Sequence, residues 1–372
     1  MIIASLFLLI AAVGCLYLLG AAVVTYRKSA PAEMASFPAV TILKPLYGDE
    51  PRLFENLSSF CDQDYPAPIQ IVCGVHDPRD AAIGVVERLK AAFPGVDIKL
   101  VVDRTTHGAN LKVANLINMV RHARHDLLVL ADSDIGVEPR YLRTLMAALA
   151  APGVGAVTCF YNGVGVAGIW SKLSALAIDA YFLPNALVGL ATGLAKPCFG
   201  STIALTRQLL TEIGGFEAFA DQLADDYAMG DAVRASGQRV VVSTMLVAHS
   251  CAESSLPDLW DHEVRWARTI RAVDAVGYAG SLVTHPLPWA LAAAMTGAPE
   301  LGFGLAALAI ACRIVLLRVV TRTFRLAPPS YWLLPARDLL SFVVFVWSFC
   351  GTDLIWRGRS YHMQADGRLT TE

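Results

Sequence analysis

Two carboxylates, Asp132 and Asp134, stand one residue apart at the end of the greasy run LVLADSDIGV. A buried apolar run has no structural need of two like charges at its end. Left alone they would repel, and one would tend to protonate. An Asp-x-Asp pair can instead hold a divalent cation. Mg2+ takes one or two carboxylates and fills its other positions with water and substrate phosphates. Mn2+ suits the same oxygen ligands. A second pair, Asp225 and Asp226, sits in DQLADDYAMG near a helix start. Acids favour the first turn of a helix, so capping accounts for one of them. The other is available as a general base. A third cluster, DHEVRWARTIRAV, has helical spacing and crowds His262, Arg265 and Trp266 at one end. It reads either as a basic membrane-surface helix or as a site where Arg binds phosphate and Trp stacks on a sugar ring or nucleotide. HEVRW is not a zinc H-E-x-x-H motif, because Trp266 occupies the second His position.

Side chains so far apart in sequence need a frame that converges them. AVTILKPL, IQIVCGV, DIKLVV and DLLVLA read as four strands, with helical patterns such as AAIGVVERLKAAF and LKVANLINMVRHA between them. Strands alternating with helices predict an α/β fold with a mostly parallel, Rossmann-like sheet covered on both faces. Near-continuous Val/Ile/Leu runs are what such buried strands require. Each strand is followed by polar residues: Lys44, then Asp77 and Asp80, then Asp103, then Asp132 and Asp134. In an open parallel sheet the carboxyl ends of the strands line one edge, where ligands bind. The whole set therefore predicts a crevice, although any single loop Asp is unremarkable.

The chain of 372 residues is 55% hydrophobic and only 17% charged. Residues 2–25 carry no charge, residues 286–312 carry only Glu300, and residues 339–352 carry none, with apolar character reaching back to Tyr331. About 20 apolar residues span a bilayer as a helix. The first run is longer than a signal-peptide core and lacks a preceding Lys or Arg, so it reads as an uncleaved anchor. Arg27 and Lys28 follow it and place the main domain in the cytoplasm by the positive-inside rule. Arg318, Arg322 and Arg325 before the last apolar run, and Arg357, Arg359 and Arg368 after it, point to the same side. Both ends of a single crossing cannot share a side. Pro286, Pro288 and Pro299 indicate that part of 286–312 lies in the interface or re-enters. The resulting partition is a transmembrane anchor over 1–26, a linker over 27–37, a catalytic domain over 38–280, membrane or interfacial segments over 281–356 and a cytoplasmic tail over 357–372. Eight scattered cysteines without a C-x-x-C pair give neither a zinc site nor a disulfide framework. A net charge of −2 argues against general nucleic-acid binding.

Taken in order, these motifs resemble the membrane-bound GT-A glycosyltransferases. They are a strand-end Lys-Pro-Leu, paired Asp after the second strand, Asp-x-Asp, a later Asp-Asp, and x-x-x-Arg-Trp before C-terminal apolar segments. The likeness is strongest to the ceramide-glucosyltransferase-like family and, within it, to the bacterial hopanoid-biosynthesis enzymes. KPLYGDEPRLFENLSSFCDQDYP and GANLKVANL extend it over nearly the whole chain. The resemblance implies a GT-A domain with one N-terminal and about two C-terminal membrane segments in a bacterial inner membrane. It places Asp80, with Asp77 beside it, at the nucleotide site, and makes Lys112 a nucleotide-sugar contact. Asp132 and Asp134 match the sugar-nucleotide and metal motif. Asp226 matches the catalytic base, leaving Asp225 as a supporting acid. His262, Arg265 and Trp266 fall on the (Gln/Arg)-x-x-Arg-Trp motif, with His departing from the family's first position.

The implied reaction is inverting transfer from a UDP-sugar donor to a membrane lipid acceptor. N-acetylglucosamine moving to a hopanoid polyol is the leading case, and glucose moving to ceramide is its rival. The apolar stretch GIWSKLSALAIDAYFLPNALVGLATGLAKPCFG reads equally as core helix or as a lining where a lipid headgroup enters. A processive polysaccharide synthase would need more C-terminal segments for a channel. A non-catalytic scaffold would be expected to have lost a key carboxylate. A transporter does not fit so large a polar α/β domain.

Overall fold

The computed structural model describes residues 2–26 and 37–351, with the backbone alone of 353–356, 359–363 and 369–371. The expected linker, apart from Phe37, and the side chains of the expected tail lie outside the described residues. The chain divides into two compact units interleaved in sequence. Residues 37–166 and 197–252 make an α/β unit, and residues 2–26, 167–196 and 253–351 make a helical one. The expected domain over 38–280 contains residues of both units. Residues 167–196 and 253–280 group with the membrane-type helices, because the first of these segments is itself a long apolar helix.

The α/β unit is built on eight strands. They are β1 (Val40–Pro45), β2 (Ile69–Val75), β3 (Asp97–Val102), β4 (Leu127–Leu130), β5 (Ile135–Gly136), β6 (Val154–Gly165), β7 (Ile203–Thr206) and β8 (Arg239–Cys251). Their order is β3-β2-β1-β4-β7-β6-β8-β5. The four expected strands pair in parallel as β3-β2-β1-β4. β7 runs antiparallel to both β4 and β6, β8 runs parallel to β6, and β5 closes antiparallel on β8. The sheet is therefore mixed, with a parallel half in which every residue of β1 is buried. Strand order reverses between β1 and β4, since the chain runs outward from β1 to β3 and then returns to the other side. A parallel sheet opens a crevice at such a switch point. Lys44 and the Asp132–Asp134 motif lie at the carboxyl ends of those two strands.

Three helices of the helical unit are long and apolar enough to cross a membrane: Ile2–Tyr26, Ile169–Thr192 and Pro299–Phe324. Three candidate spans among the described residues match the expected number, but one position differs. The run from Tyr331 forms a short turn and a 14-residue helix, Leu334–Trp347. At about 1.5 Å per residue that helix is too short for a hydrocarbon core of about 30 Å. The run 286–312 breaks at Gly297 (φ 117°) into Pro286–Met295 and Pro299–Phe324, each opened by proline. Both pack on Ile2–Tyr26. At Gly14 a Cβ would stand 2.5 Å from the Val283 carbonyl oxygen, so the close approach there requires glycine.

Charges are buried inside this unit. Arg313 and Asp338 are each 1% exposed and lie 3.3 Å apart. Arg313 also donates to the carbonyls of Ala180 (2.9 Å) and Thr284 (2.6 Å) and covers the ring of Tyr181, whose hydroxyl donates to Asp338. Arg337 forms a two-pronged pair with Glu263.

Candidate active site

The turn that carries Asp132 and Asp134 is fixed from several sides of the α/β unit. Lys44, fully buried at the end of β1, donates its Nζ to the Asp132 carbonyl and lies 4.0 Å from the centre of the Phe60 ring. Burial draws its ammonium down to about 8, with Asp134 and Asp132 opposing. Lys44 thus braces the turn from beneath and presents no surface to a ligand, although its strand-end position pointed to a substrate contact. Ser250 N–H donates to the Asp134 carbonyl at 2.9 Å. Pairing of β5 with β8 sets Ile135 opposite His249, and His249 Nδ1 stands 3.5 Å from Asp134 Oδ1.

Lys112 enters from the Leu111–Val120 helix. Asn110 caps that helix, its side chain accepting from the N–H groups of Lys112 and Val113. A cation in the first turn is disfavoured by the helix dipole. Carboxylates offset this: Lys112 Nζ lies 2.8 Å from Asp132 Oδ1 and 3.4 Å from Asp225 Oδ2. Burial works against the Lys112 charge, but Asp132, Asp225 and Asp226 outweigh it and raise the pKa well above the usual lysine range. Asp225, itself buried, also accepts from Asn110 Nδ2 at 3.2 Å.

Asp226 follows in the first turn of the Asp225–Ala235 helix. Its Oδ2 accepts the backbone N–H of Gly200 at 2.7 Å, and its Oδ1 accepts from Tyr227 N–H at 2.8 Å. Burial, then the neighbouring charge of Asp225, push its carboxyl up to about 6. That is the range a general base needs to be ionised yet still basic near neutrality. Gly200 marks the point of convergence. A Cβ there would meet Lys112 Nζ at 2.9 Å, Asp132 Oδ2 at 3.0 Å and Asp226 Oδ2 at 3.5 Å. Lys112 and Asp132, 114 and 94 positions before Asp226 in sequence, thus share one small space with it, and a side chain at position 200 would have to displace the Lys112 tip. Gly200 and His249 carry no motif, and the sequence alone did not single them out.

The paired Asp residues after β2 have local roles. Asp80 accepts from the N–H groups of Gly48 (2.9 Å) and Ala82 (2.8 Å), tying the loop after β1 to the one after β2. Asp77 is exposed and accepts from Arg79, which holds its carboxyl below the usual range. His262, Arg265 and Trp266 belong to the helical unit, on the Leu256–Val273 helix. The His262 ring meets Trp266 edge-on, with centroids 4.6 Å apart.

Do these donors suit a divalent cation? Among the described residues no group of three or more His, Cys, Asp or Glu is arranged to hold a metal. What the α/β unit offers is two carboxylates on one turn, each side chain 34% exposed. Burial and then Asp134 push the Asp132 carboxyl up, with Lys112 opposing. Two mutually repelling, partly exposed carboxylates fit an ion that completes its shell with water and phosphate.

With this geometry in place, the chain was compared with known proteins. Residues 6–369 match the family model of Glycosyl transferase family 21. The chain belongs to that family. It is 25% identical over 234 residues to ceramide glucosyltransferase 1 of Caenorhabditis elegans, covering 63% of this chain and 50% of that protein. It is 33% identical over 125 residues to the ceramide glucosyltransferase of Candida albicans, covering 30% and 23%. The chain thus spans about half the length, or less, of these curated relatives. Among solved structures, a mannosyltransferase from Pyrobaculum calidifontis in complex with GDP-Man and Mn2+ superposes with TM-score 0.52 at 19% identity. That alignment covers 92% of this chain and 99% of the other. Family 21 membership supports a transferase, and the superposition shows the GT-A-like fold.

Proposed function

We propose that this family 21 member transfers a sugar, with inversion, from a UDP-sugar to a hydroxyl of a membrane lipid. The observation that carries the reading is the meeting of Lys112, Asp132 and Asp226 around Gly200. It puts a base of raised pKa beside a cation and a carboxylate at the switch point of the sheet. Asp226 takes the proton of the acceptor hydroxyl as that oxygen attacks the anomeric carbon. Attack from the face opposite the diphosphate gives a β-linkage from an α-linked donor. Lys112 holds the donor and Asp80 orders the nucleotide-side loops, with Asp77 at their rim. Asp134 and Asp132 are the residues that would hold Mg2+ or Mn2+, whose charge would neutralise the departing diphosphate. Arg265 balances charge on the departing phosphate, Trp266 shapes the acceptor side, and His262 is a further substrate contact.

The lipid acceptor rests on the three candidate spans. Basic residues after the first of them favour an inner-membrane protein with its α/β unit in the cytoplasm. The family pattern of ADQLADDY and HEVRWARTIR favours N-acetylglucosamine donated to a hopanoid polyol in a bacterium. The ceramide glucosyltransferases among the relatives favour the second reading, glucose donated to ceramide. Membranes containing the expressed chain, supplied with single UDP-sugars and either lipid, will separate these by mass spectrometry of the products. No glycosylated lipid from any UDP-sugar would overturn the enzyme reading in favour of a scaffold, and turnover retained in Asp226→Asn would overturn the base assignment.

A further inference from the structure

Asn110 does more than cap a helix. Its side chain is fully buried in the α/β unit, and both sides of its amide are in use. Oδ1 accepts from the N–H groups of Lys112 at 3.0 Å and Val113 at 3.2 Å. Nδ2 donates to the Gln222 carbonyl at 2.8 Å and to Asp225 Oδ1 at 3.2 Å. The neighbours fix the orientation of the amide. Two N–H donors require the oxygen on one side, and a carbonyl with a carboxylate requires the NH2 on the other. A side-chain amide has two acceptor lone pairs and two donor hydrogens, so its capacity is filled.

These bonds join two segments 115 residues apart in sequence. One is the start of the Leu111–Val120 helix, with Lys112 in its first turn. The other is the stretch 220–225, which leads into the helix of Asp226. The backbone adds to the junction. Asn110 N–H donates to the Ala220 carbonyl and Ala109 N–H to Asp221 Oδ1, each at 2.8 Å. Asp225 Oδ2 lies 3.4 Å from Lys112 Nζ. Both oxygens of Asp225 are therefore engaged from positions 110 and 112, one by an amide and one by a cation. Capping needs only an acceptor, so Ser, Thr or Asp would serve at position 110. None of these offers two N–H donors on the opposite side.

We propose that Asn110 is a positioning residue whose NH2 group ties Asp225 to the Lys112 turn and so sets where Asp226 stands relative to the donor-binding side. The proposal rests on the roles given above to Lys112 and Asp226. Donor binding stays with Lys112 and Asp132, and the base moves when the tie is cut. The expected signature is a fall in kcat with donor affinity kept, which marks an interaction made in the transition state.

The test uses the full chain in detergent micelles, with UDP affinity, transfer kinetics and melting temperature measured for each variant. Asn110→Ser keeps a cap acceptor and removes both N–H donors. Its kcat should fall about a hundredfold, the effect of misplacing a reacting group by about 1 Å. Its UDP affinity should stay within about twofold of wild type. Asn110→Asp sets a carboxylate against Asp225 and should lose at least as much. Exchange of the pair, Asn110→Asp with Asp225→Asn, lets the amide now at position 225 donate to position 110 while its oxygen faces Lys112. The exchange should recover at least about tenfold in kcat over Asn110→Asp, together with melting temperature. Asn118 anchors the same helix elsewhere, donating to the carbonyls of Asp103 and Thr105. Asn118→Ala should lower the melting temperature and leave kcat unchanged. UDP affinity falling in step with kcat in Asn110→Ser, no recovery on exchange, or an equal kcat loss in Asn118→Ala would overturn the proposal. If wild type transfers no sugar, the proposed function fails, and the role of Asn110 in transfer fails with it. Recovery of melting temperature on exchange would then still show the tie between Asn110 and Asp225.

Discussion

Gly200 donates its backbone N–H to Asp226 Oδ2 at 2.7 Å, across 26 residues of sequence. The bond aims the carboxylate into the space that Lys112 and Asp132 also border. It also stabilises the ionised form without removing its basicity. A glycine is needed here for room, since its backbone torsion is not among the left-handed ones.

Gly200→Ala is therefore expected to fold and to lose transfer. The new methyl meets the flexible tip of Lys112 at 2.9 Å, which can swing away at small cost in stability. Moving it breaks the contact with Asp132 and shifts the charges by about 1 Å, and such misplacement can lower turnover about a hundredfold. An unchanged melting temperature with a large loss of kcat/KM would bear this out. An equal loss of both would show a structural role only.

The acid limb of the rate profile should report Asp226. Its carboxyl is raised to about 6, first by burial and then by Asp225. The base must be ionised, so kcat/KM should fall about tenfold per pH unit below pH 6 and level off above it. Asp225→Asn removes the neighbouring negative charge and should move the limb to lower pH. A limb unmoved by that change would assign it to another group.

The parallel half of the sheet is legible because β1, β2 and β4 are almost wholly buried and so become near-continuous apolar runs, while the edge strand β3 keeps enough Ile, Leu and Val to read as a strand. β6 to β8 are hidden. β7 is four residues long, β6 is broken by glycines, and the half-exposed β8 mixes polar and apolar residues. Ile169–Thr192 is obscured as a span by Lys172, Asp179 and Asn185, and Tyr17 hydrogen-bonds to Asn185 at 2.8 Å inside the helical unit. The site divides in the same way. Asp132 and Asp226 belong to patterns with a chemical reason. For Lys44, a strand-end position does not say which way a side chain points. Gly200 matters only through where the fold carries it, and no local pattern encodes that.

Asp134 separates metal binding from general electrostatics. If it shares a cation with Asp132, chelation should abolish transfer and Mn2+ should restore it. Asp134→Asn should then need at least about tenfold more Mn2+ for half-maximal rate, as expected when a ligand is weakened. Full activity of the wild type after exhaustive chelation would remove the cation from the mechanism.

The Arg313–Asp338 pair should behave as a buried ion pair rather than as a source of net stability. Each residue is 1% exposed, and removing one leaves the other charged, buried and unpaired. Arg313→Met or Asp338→Leu alone should each cost about 3–5 kcal/mol of folding stability. The double variant replaces both charges with apolar groups and should recover most of that loss, because the desolvation penalty disappears with the pair. Tyr181 would lose its acceptor, so full recovery is not expected. Thermal unfolding of the four proteins in detergent measures the cycle. Simple additivity of the two losses would mean that the charges act independently and that their 3.3 Å approach carries no coupling.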